Sequence, residues 1–279
     1  MASGQIAIDW SVPRRVDAPP LRVGILGSGS GGNAVVVEAG SHRILLDAGF
    51  SSRELVRRMG SLGVDPKALS AVFLTHEHQD HARGADGFAH RFKLPVYATA
   101  GTLDHVNLRE KVRDRAVVLR SGEPVAAGGF VVEPFLLPHD AREPVGFVVE
   151  DPFGRRVGLV ADLGCRSRLA WGRLHDLDVL LIETNHDLDM LRNGPYPWSL
   201  KQRVAGRHGH LSNRDAALGL PELLTGRLEW VALYHLSRTN NLPALAAETI
   251  GETLARESCS ARLAVTEQDR PTPWLEVTA

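Results

Sequence analysis

The apolar run AVFLT (71–75) ends directly in HEHQDH, His76 to His81, and this hexapeptide constrains the chain more than any other stretch. Three imidazoles and the Asp80 carboxylate within six residues make a mixed nitrogen and oxygen donor set. Such a set suits zinc, and also manganese or iron. His76 and His78 are separated by one residue, so at the end of an extended strand both can face the same way. Asp80 and His81 come from the turn that follows. The helical zinc-protease pattern H-E-x-x-H is excluded, because position 80 is Asp where that pattern needs His.

Six residues cannot close a two-metal site, so further ligands are sought at other strand ends. FVVEPFLLPHD leads to His139, VGLVADLG to Asp162 and WVALYHLS to His235, each after an apolar run. Any one of them alone reads equally well as a capping or internally satisfied residue. Together with the hexapeptide, and in this order, they read as one ligand set.

The elements around them alternate in a simple way. LRVGIL, AVVVEAG and HRILLDAG are three strands in antiparallel succession. SSRELVRRMGSLG places Leu55, Met59 and Leu62 at helical spacing behind a Ser cap. AVFLT is a strand, HARGADGFAHRF a helix, PVYATA a strand and TLDHVNLREKV a helix. Four strands follow, AVVL, FVVEPFLLP, VGFVVE and RRVGLVAD. Then come a helix near 167–174, the strand DVLLIET (178–184), helices around 187–225, the strand WVALYH (230–235), a helix from about Leu242 and a last strand, RLAVTE. Two halves, each with strands first and helices after, imply an α/β (α+β) fold: two sheets face to face with helices outside, an αββα sandwich. A single domain over residues 21–279 is expected, with residues 1–20, polar and proline-bearing, as a loose arm.

GSGSGGN (27–33) puts Gly27, Gly29 and Gly32 on the G-x-G-x-x-G spacing of dinucleotide-binding loops. That fingerprint has meaning only where a helix follows and offers its N-terminus to the phosphates. Here AVVVEAG follows, so the glycines are expected to shape a strand-to-strand loop and no dinucleotide cofactor is expected.

The net charge of −1 argues against bulk electrostatic coating of nucleic acid, so any phosphate binding must be local. Cys165 and Cys259 do not make a disulfide framework, and Cys165 reads as a small core thiol. The N-terminus has no apolar signal region and no stretch approaches a membrane span, so a cytoplasmic protein without a membrane partner is the simplest expectation.

H-x-H-x-D-H, followed by a His, an Asp and a His each ending a strand, is similar to the metallo-β-lactamase-fold hydrolases. In finer detail GSGSGGN, THEHQDH, PHDAREPVGF, ADLG, IETNHD, NGPYPWSLKQR, GHLSN and YHLSRTNN resemble the YycJ/WalJ-type bacterial nucleases of that superfamily. The resemblance spans most of the chain. It implies that His76, His78 and His139 hold one metal and Asp80, His81 and His235 the other, with Asp162 bridging. It also implies a phosphate-contacting role for His210, so that Asp80, Asp162 and His210 are the catalytic residues. Two departures point away from RNA processing: the long domain inserted in larger RNA-processing relatives is missing between Asp162 and His235, and no exosite arm of the tRNA-maturing kind is evident.

Two divalent ions, zinc or manganese with iron also fitting, can bridge a hydroxide and clamp both oxygens of an in-line displacement at phosphorus. Asp47 either orients a metal-bound histidine or caps a turn. His186 and Asp187 either line the pocket or cap a helix. The stretch from Leu191 to Asp215 carries Arg192, Lys201, Arg203, Arg207 and Arg214 against Asp215, with Tyr196, Trp198, His208 and His210 interleaved. Such a segment grips phosphates and stacks on a terminal base, unless it is a solvated helix face. Lys201, Arg207, Ser212 and Asn213 are candidate phosphate contacts, and Ser212 with Asp215 fits a capping box. The leading expectation is a phosphodiesterase acting on DNA ends, with 5′→3′ exonuclease activity implied by the resemblance. A phosphodiesterase for a small cyclic nucleotide or sugar phosphate is the alternative.

Overall fold

Long runs of Val, Leu and Ile in this chain carry almost no alternating polar residues, which is the pattern of strands covered on both faces. A computed structural model, describing residues 18–278, bears this out. The first sheet contains β1 (Leu21–Gly27), β2 (Ala34–Ala39), β3 (His42–Leu46), β4 (Val72–Phe73), β5 (Val96–Thr99) and β6 (Val117–Leu119). The second contains β7 (Val125–Ala127), β8 (Phe130–Leu136), β9 (Val145–Glu150), β10 (Arg156–Val160), β11 (Val179–Glu183), β12 (Trp230–Tyr234) and β13 (Arg262–Val265). The last strand, β14 (Leu275–Val277), returns to the first sheet and pairs antiparallel with β1. The strand orders are β14-β1-β2-β3-β4-β5-β6 and β13-β12-β11-β10-β9-β8-β7. In each sheet an antiparallel portion passes into a parallel one, β3 to β6 in the first and β10 to β13 in the second.

The helices are α1 (Ser52–Ser61), α2 (Gln79–Ala82), α3 (Ala85–Phe92), α4 (Ala100–His105), α5 (Glu110–Arg113), α6 (Arg168–Trp171), α7 (Leu188–Asn193), α8 (Trp198–Val204), α9 (Asn213–Gly219) and α10 (Pro243–Arg256). Three buried clusters define the layering. Val23, Val37, Phe73, Phe147, Leu159 and Tyr234 belong to the core between the sheets, where Phe73 stacks on Tyr97 at 4.6 Å and meets Phe147 edge-on at 5.8 Å. Leu55, Met59 and Phe88 of α1 and α3 cover the first sheet. Trp171, Ala216 and Ile250 of α6, α9 and α10 cover the second. The expected αββα sandwich in a single domain is thus observed. Among the described residues no helix is long and apolar enough to cross a membrane.

Three local expectations differ from the structure. TLDHVNLREKV is two short helices, because Val106 turns to extended backbone and the amide of Arg109 bonds the Asp86 carboxylate. AVFLT is ladder-paired only at Val72 and Phe73, with Leu74 and Thr75 already leaving the strand. β7 and β14 lay outside the expected strands: each is three residues long, too short for a pattern to declare itself. The loose arm expected over residues 1–20 falls mostly outside the described residues; of those described, Pro19 accepts a hydrogen bond from buried Arg155.

Glu150, at the end of β9, is buried opposite Arg156. Burial pushes its carboxyl up to about 7 from 4.5, against the pull of Arg156 and with help from Asp151. Between those two values the folded chain keeps a proton that the unfolded chain releases. Stability present below the lower value is therefore lost as pH rises toward the upper one. Glu150→Gln stays neutral throughout, so its melting temperature should gain on wild type between pH 4.5 and pH 8, by about 2–4 °C for each kcal/mol recovered. A gap that does not change between the two pH values would refute this.

Candidate metal centre

The carboxyl ends of the strands converge on one edge of the sandwich. His76 follows β4, His139 follows β8, Asp162 follows β10, Glu183 ends β11 and His235 follows β12. Asp47, Asp162 and His235, each just past a strand, have φ of 57°, 54° and 58°. Left-handed backbone is uncommon for residues with a side chain and gathers at functional sites. Here it turns each side chain inward as the chain leaves its sheet.

The hexapeptide is clamped from below. The amide of Asn33, in the glycine-rich loop, donates to Asp80 O at 2.7 Å, and the amide of Ala48 donates to His81 O at 2.7 Å. Gly49 packs so tightly here that a Cβ would lie 1.7 Å from Asp80 O. The loop from Gly27 to Asn33 does lead into a strand, β2, and not a helix. A Cβ on Gly27, with φ of 155°, would strike the buried Arg58 guanidinium at 2.2 Å.

Two groups of donors form. In the first, the rings of His76, His78 and His139 lie 4.6 to 5.1 Å apart, with His139 Nε2 3.3 Å from His78 Nδ1. In the second, Asp80 Oδ2 lies 3.2 Å from His235 Nε2 and 3.6 Å from His81 Nε2. Asp162 stands between them. Its Oδ2 is 2.7 Å from His81 Nε2 and 3.3 Å from His76 Nε2, and its Oδ1 is 3.0 Å from Nδ1 of both His235 and His210. In each group the donor atoms lie within 4.8 Å of one another, as an ion requires.

Supporting contacts fix the rings. Asp47 Oδ2 is 2.7 Å from His81 Nδ1, while Asp47 Oδ1 accepts from the Thr75 amide at 2.8 Å. Asp47 thus links the His81 ring to the backbone at Thr75. Gly209 O lies 3.1 Å from His139 Nδ1, and Thr75 Oγ1 lies 3.0 Å from His76 Nδ1. Glu183 is the residue that sequence reasoning missed. Its Oε2 accepts from the amides of Leu163 and Leu211 at 2.6 and 3.1 Å, leaving Oε1 at 2.8 Å from His210 Nδ1 and 3.1 Å from His235 Nδ1. The signal that would have found it is the one that found the others: it is an acidic residue ending an apolar strand.

The donor chemistry fits divalent metal ions. His76 Nε2 and Asp162 Oδ1 are buried without a hydrogen bond of acceptable geometry, a costly state for polar atoms unless a cation satisfies them. The electrostatics agree. Burial works against charge on His81 and His235, yet nearby carboxylates, Asp162 foremost, hold both well above the ordinary histidine value. Burial likewise opposes charge on Asp162, and His235 and His81 keep it well below the usual carboxylate range. His76 and His139 are pushed down, chiefly by burial. A cluster of this composition draws in positive charge, and metal ions compete with protons for it.

The remaining sequence-predicted residues fall at varying distance from this centre. His210 is at its rim, partly exposed. Burial disfavours its charge, but Glu183 and Asp162 raise its pKa to about 9. Ser212 and Asn213 are buried and already committed: Ser212 Oγ pairs with Asp215 as a helix cap, and Asn213 exchanges hydrogen bonds with Asn241. They do not present free donors to a phosphate, which corrects the expectation for both. Lys201 Nζ donates to Arg192 O at 2.8 Å on the outer side of α8, and Arg207 is exposed. Asp187 caps α7, while His186 is buried behind it with Nδ1 unpartnered. Cys165 is half-buried and unpaired.

Comparison with known proteins adds to this geometry. The sequence profile described as "Beta-lactamase superfamily domain" matches residues 42–228. Exodeoxyribonuclease YycJ of Bacillus anthracis is 33% identical over 84% of this chain and 89% of its own length. Exodeoxyribonuclease WalJ of Streptococcus pneumoniae serotype 2 is 32% identical over 91% of this chain and 97% of its own length. Among solved structures, the metallo-beta-lactamase fold protein YhfI from Bacillus subtilis superposes with a TM-score of 0.71 at 17% identity, covering 92% of this chain and all of that one.

Proposed function

From the premise that the chain belongs to the metallo-β-lactamase superfamily, as a hydrolase homologous to the YycJ/WalJ exodeoxyribonucleases, we propose that it degrades DNA from its ends as a two-metal phosphodiesterase, in the 5′→3′ direction. The observation that carries this reading is Asp162, whose Oδ2 lies 3.3 Å from His76 Nε2 of one donor group and 2.7 Å from His81 Nε2 of the other. On this reading His76, His78 and His139 hold one divalent ion and Asp80, His81 and His235 the other, with Asp162 shared. Zinc or manganese suits the mixed donors, and iron fits as well. Ions bound there supply a water acidified toward neutrality and neutralise charge at phosphorus.

The chain's own residues do the rest. Asp47, Thr75 and the Gly209 carbonyl fix the tautomers of His81, His76 and His139 so that each turns its other nitrogen to the centre. Glu183, anchored by two backbone amides, holds His210 protonated at Nδ1. The exposed edge of that ring is then available to donate to a phosphate oxygen as its charge grows in the transition state. The basic stretch around α8 draws the DNA backbone toward the centre, with Arg207 and Lys201 contacting phosphates. Relatives named for DNA cleavage, and so many cations beside the site, favour DNA over a small diester. Action in the cytoplasm belongs to the proposal and accords with two unpaired cysteines.

The test is degradation of end-labelled single- and double-stranded DNA, with and without a 5′-phosphate, by protein reconstituted with Mn²⁺ or Zn²⁺ and assayed for metal content. Two ions per chain and loss of nucleotides from the 5′ end are expected. A single ion at saturation refutes the two-metal reading, and intact DNA alongside hydrolysis of bis(p-nitrophenyl) phosphate refutes the nuclease reading.

A further inference from the structure

Most large apolar side chains in this fold are buried, yet Trp198, the first residue of α8, is 69% exposed. It forms one wall of a groove of about 240 Å³ between α7 and α8, floored by Leu188 and Leu191 and flanked by Arg192 and Lys201. Lys201 Nζ donates to the backbone carbonyl of Arg192, which fixes the Lys201 ammonium on this rim, while the exposed Arg192 guanidinium lies 3.9 Å from Asp189. A flat aromatic face bordered by two cations, one of them tethered, suits a ligand that is itself flat and apolar on its face and anionic beside it. That is the chemistry of a nucleotide within a strand.

The groove is joined to the metal centre by α8 itself. At the far end of this helix Val204 O accepts from the His210 amide at 2.9 Å. Arg203 Nε donates to Asp140 Oδ2 at 2.6 Å, and Asp140 Oδ1 lies 3.3 Å from His139 Nε2. The six residue steps from Trp198 to Val204 span about 9 Å at the helical rise. The groove therefore opens within a few nucleotides' reach of the metal centre.

We propose that the α7–α8 groove is a subsite for an unpaired nucleobase of the DNA strand being degraded, a few nucleotides from the reacting phosphate, with Trp198 as its stacking face. The inference rests on the nuclease reading above. A paired base inside a duplex has both faces covered by its neighbours, so the groove selects strands that are single-stranded or have opened at their end.

The experiment uses the full, metal-reconstituted chain and a fluorescein-labelled single-stranded thymidylate 12-mer. Trp198→Ala should raise KM for this oligonucleotide roughly 5- to 150-fold, the loss of one base–aromatic stack. Melting temperature and metal content should stay at wild-type values, and Trp198→Phe should recover most of the loss. Placing a single abasic residue at each of the first four positions in turn should reproduce the defect at one position in wild type, with no further loss there in Trp198→Ala. If wild type degrades the 12-mer and Trp198→Ala does so with unchanged KM, or if abasic and Trp198→Ala losses simply multiply at every position, this inference fails and the nuclease reading stands. If wild type neither binds nor degrades any oligonucleotide while hydrolysing bis(p-nitrophenyl) phosphate, the nuclease reading fails and takes this one with it.

Discussion

Asp162→Asn is expected to lower phosphodiesterase activity by at least about a thousandfold and to leave the protein with fewer than two ions. The substitution keeps the size of the side chain but removes the one charge that faces both donor groups, within 3.3 Å of His76, His81, His210 and His235. Metal-assisted chemistry supplies several kcal/mol of transition-state stabilisation, and each 1.36 kcal/mol is about a factor of ten in rate. The loss should therefore appear in kcat and in metal stoichiometry together. Elemental analysis and turnover of end-labelled DNA measure both. An Asp162→Asn protein that holds two ions and cleaves within tenfold of wild type would remove Asp162 from the centre of the mechanism.

His210→Ala should separate the two readouts. His210 sits at the rim with Nδ1 committed to Glu183 and Asp162, so its removal should leave both ions bound. What is lost is a charge-assisted contact to phosphate that strengthens in the transition state, about 2–4 kcal/mol or roughly 30- to 1000-fold in kcat. Glu183→Gln should give a milder version, about 10- to 100-fold, because it loosens the orientation of His210 and His235 and removes neither. The double variant should be little worse than His210→Ala alone, as expected of two residues acting through one contact. If His210→Ala instead sheds an ion, His210 is a ligand; if the two single losses multiply, Glu183 acts elsewhere.

The layering and the donor set were legible for the same reason: each donor lies at the end of an apolar strand or, for Asp80 and His81, in the turn directly after one. His139, Asp162 and His235 each follow a strand of the second sheet, and the sequence marks them as the first ionisable group after the apolar run. Glu183 obeys the same rule but is followed within four residues by His186 and Asp187, which offer the same chemistry and mask it. Ser212 and Asn213 misled for the opposite reason. GHLSN offers polar side chains beside a basic stretch, but whether a donor is free depends on partners far away, and Asn241 claims Asn213 from 28 residues on. β14 was hidden because a three-residue strand after Pro271 and Pro273 has no periodicity to show, and only β1 gives it a reason to exist. The role of the glycine-rich loop was half legible. Its turn could be read from the strands on either side, but the grip of Asn33 on Asp80 O joins residues 47 apart and no local pattern encodes it.

The division of the donors between the two sheets bears on how the protein is made. His76, His78, Asp80 and His81 leave the first sheet, and His139, Asp162 and His235 leave the second, so neither sheet carries the whole site by itself. His235 is the last of them to be synthesised, and its amide is held at 2.7 Å by the hydroxyl of Ser28, from the first loop after β1. The beginning of the domain must therefore wait for a late strand before its own donors can be completed. A ribosome-bound or truncated chain that stops before β12 is without the residue that closes the second donor group, whatever else has folded. The donor set is thus completed only when the two sheets dock, and a partly made copy lacks it.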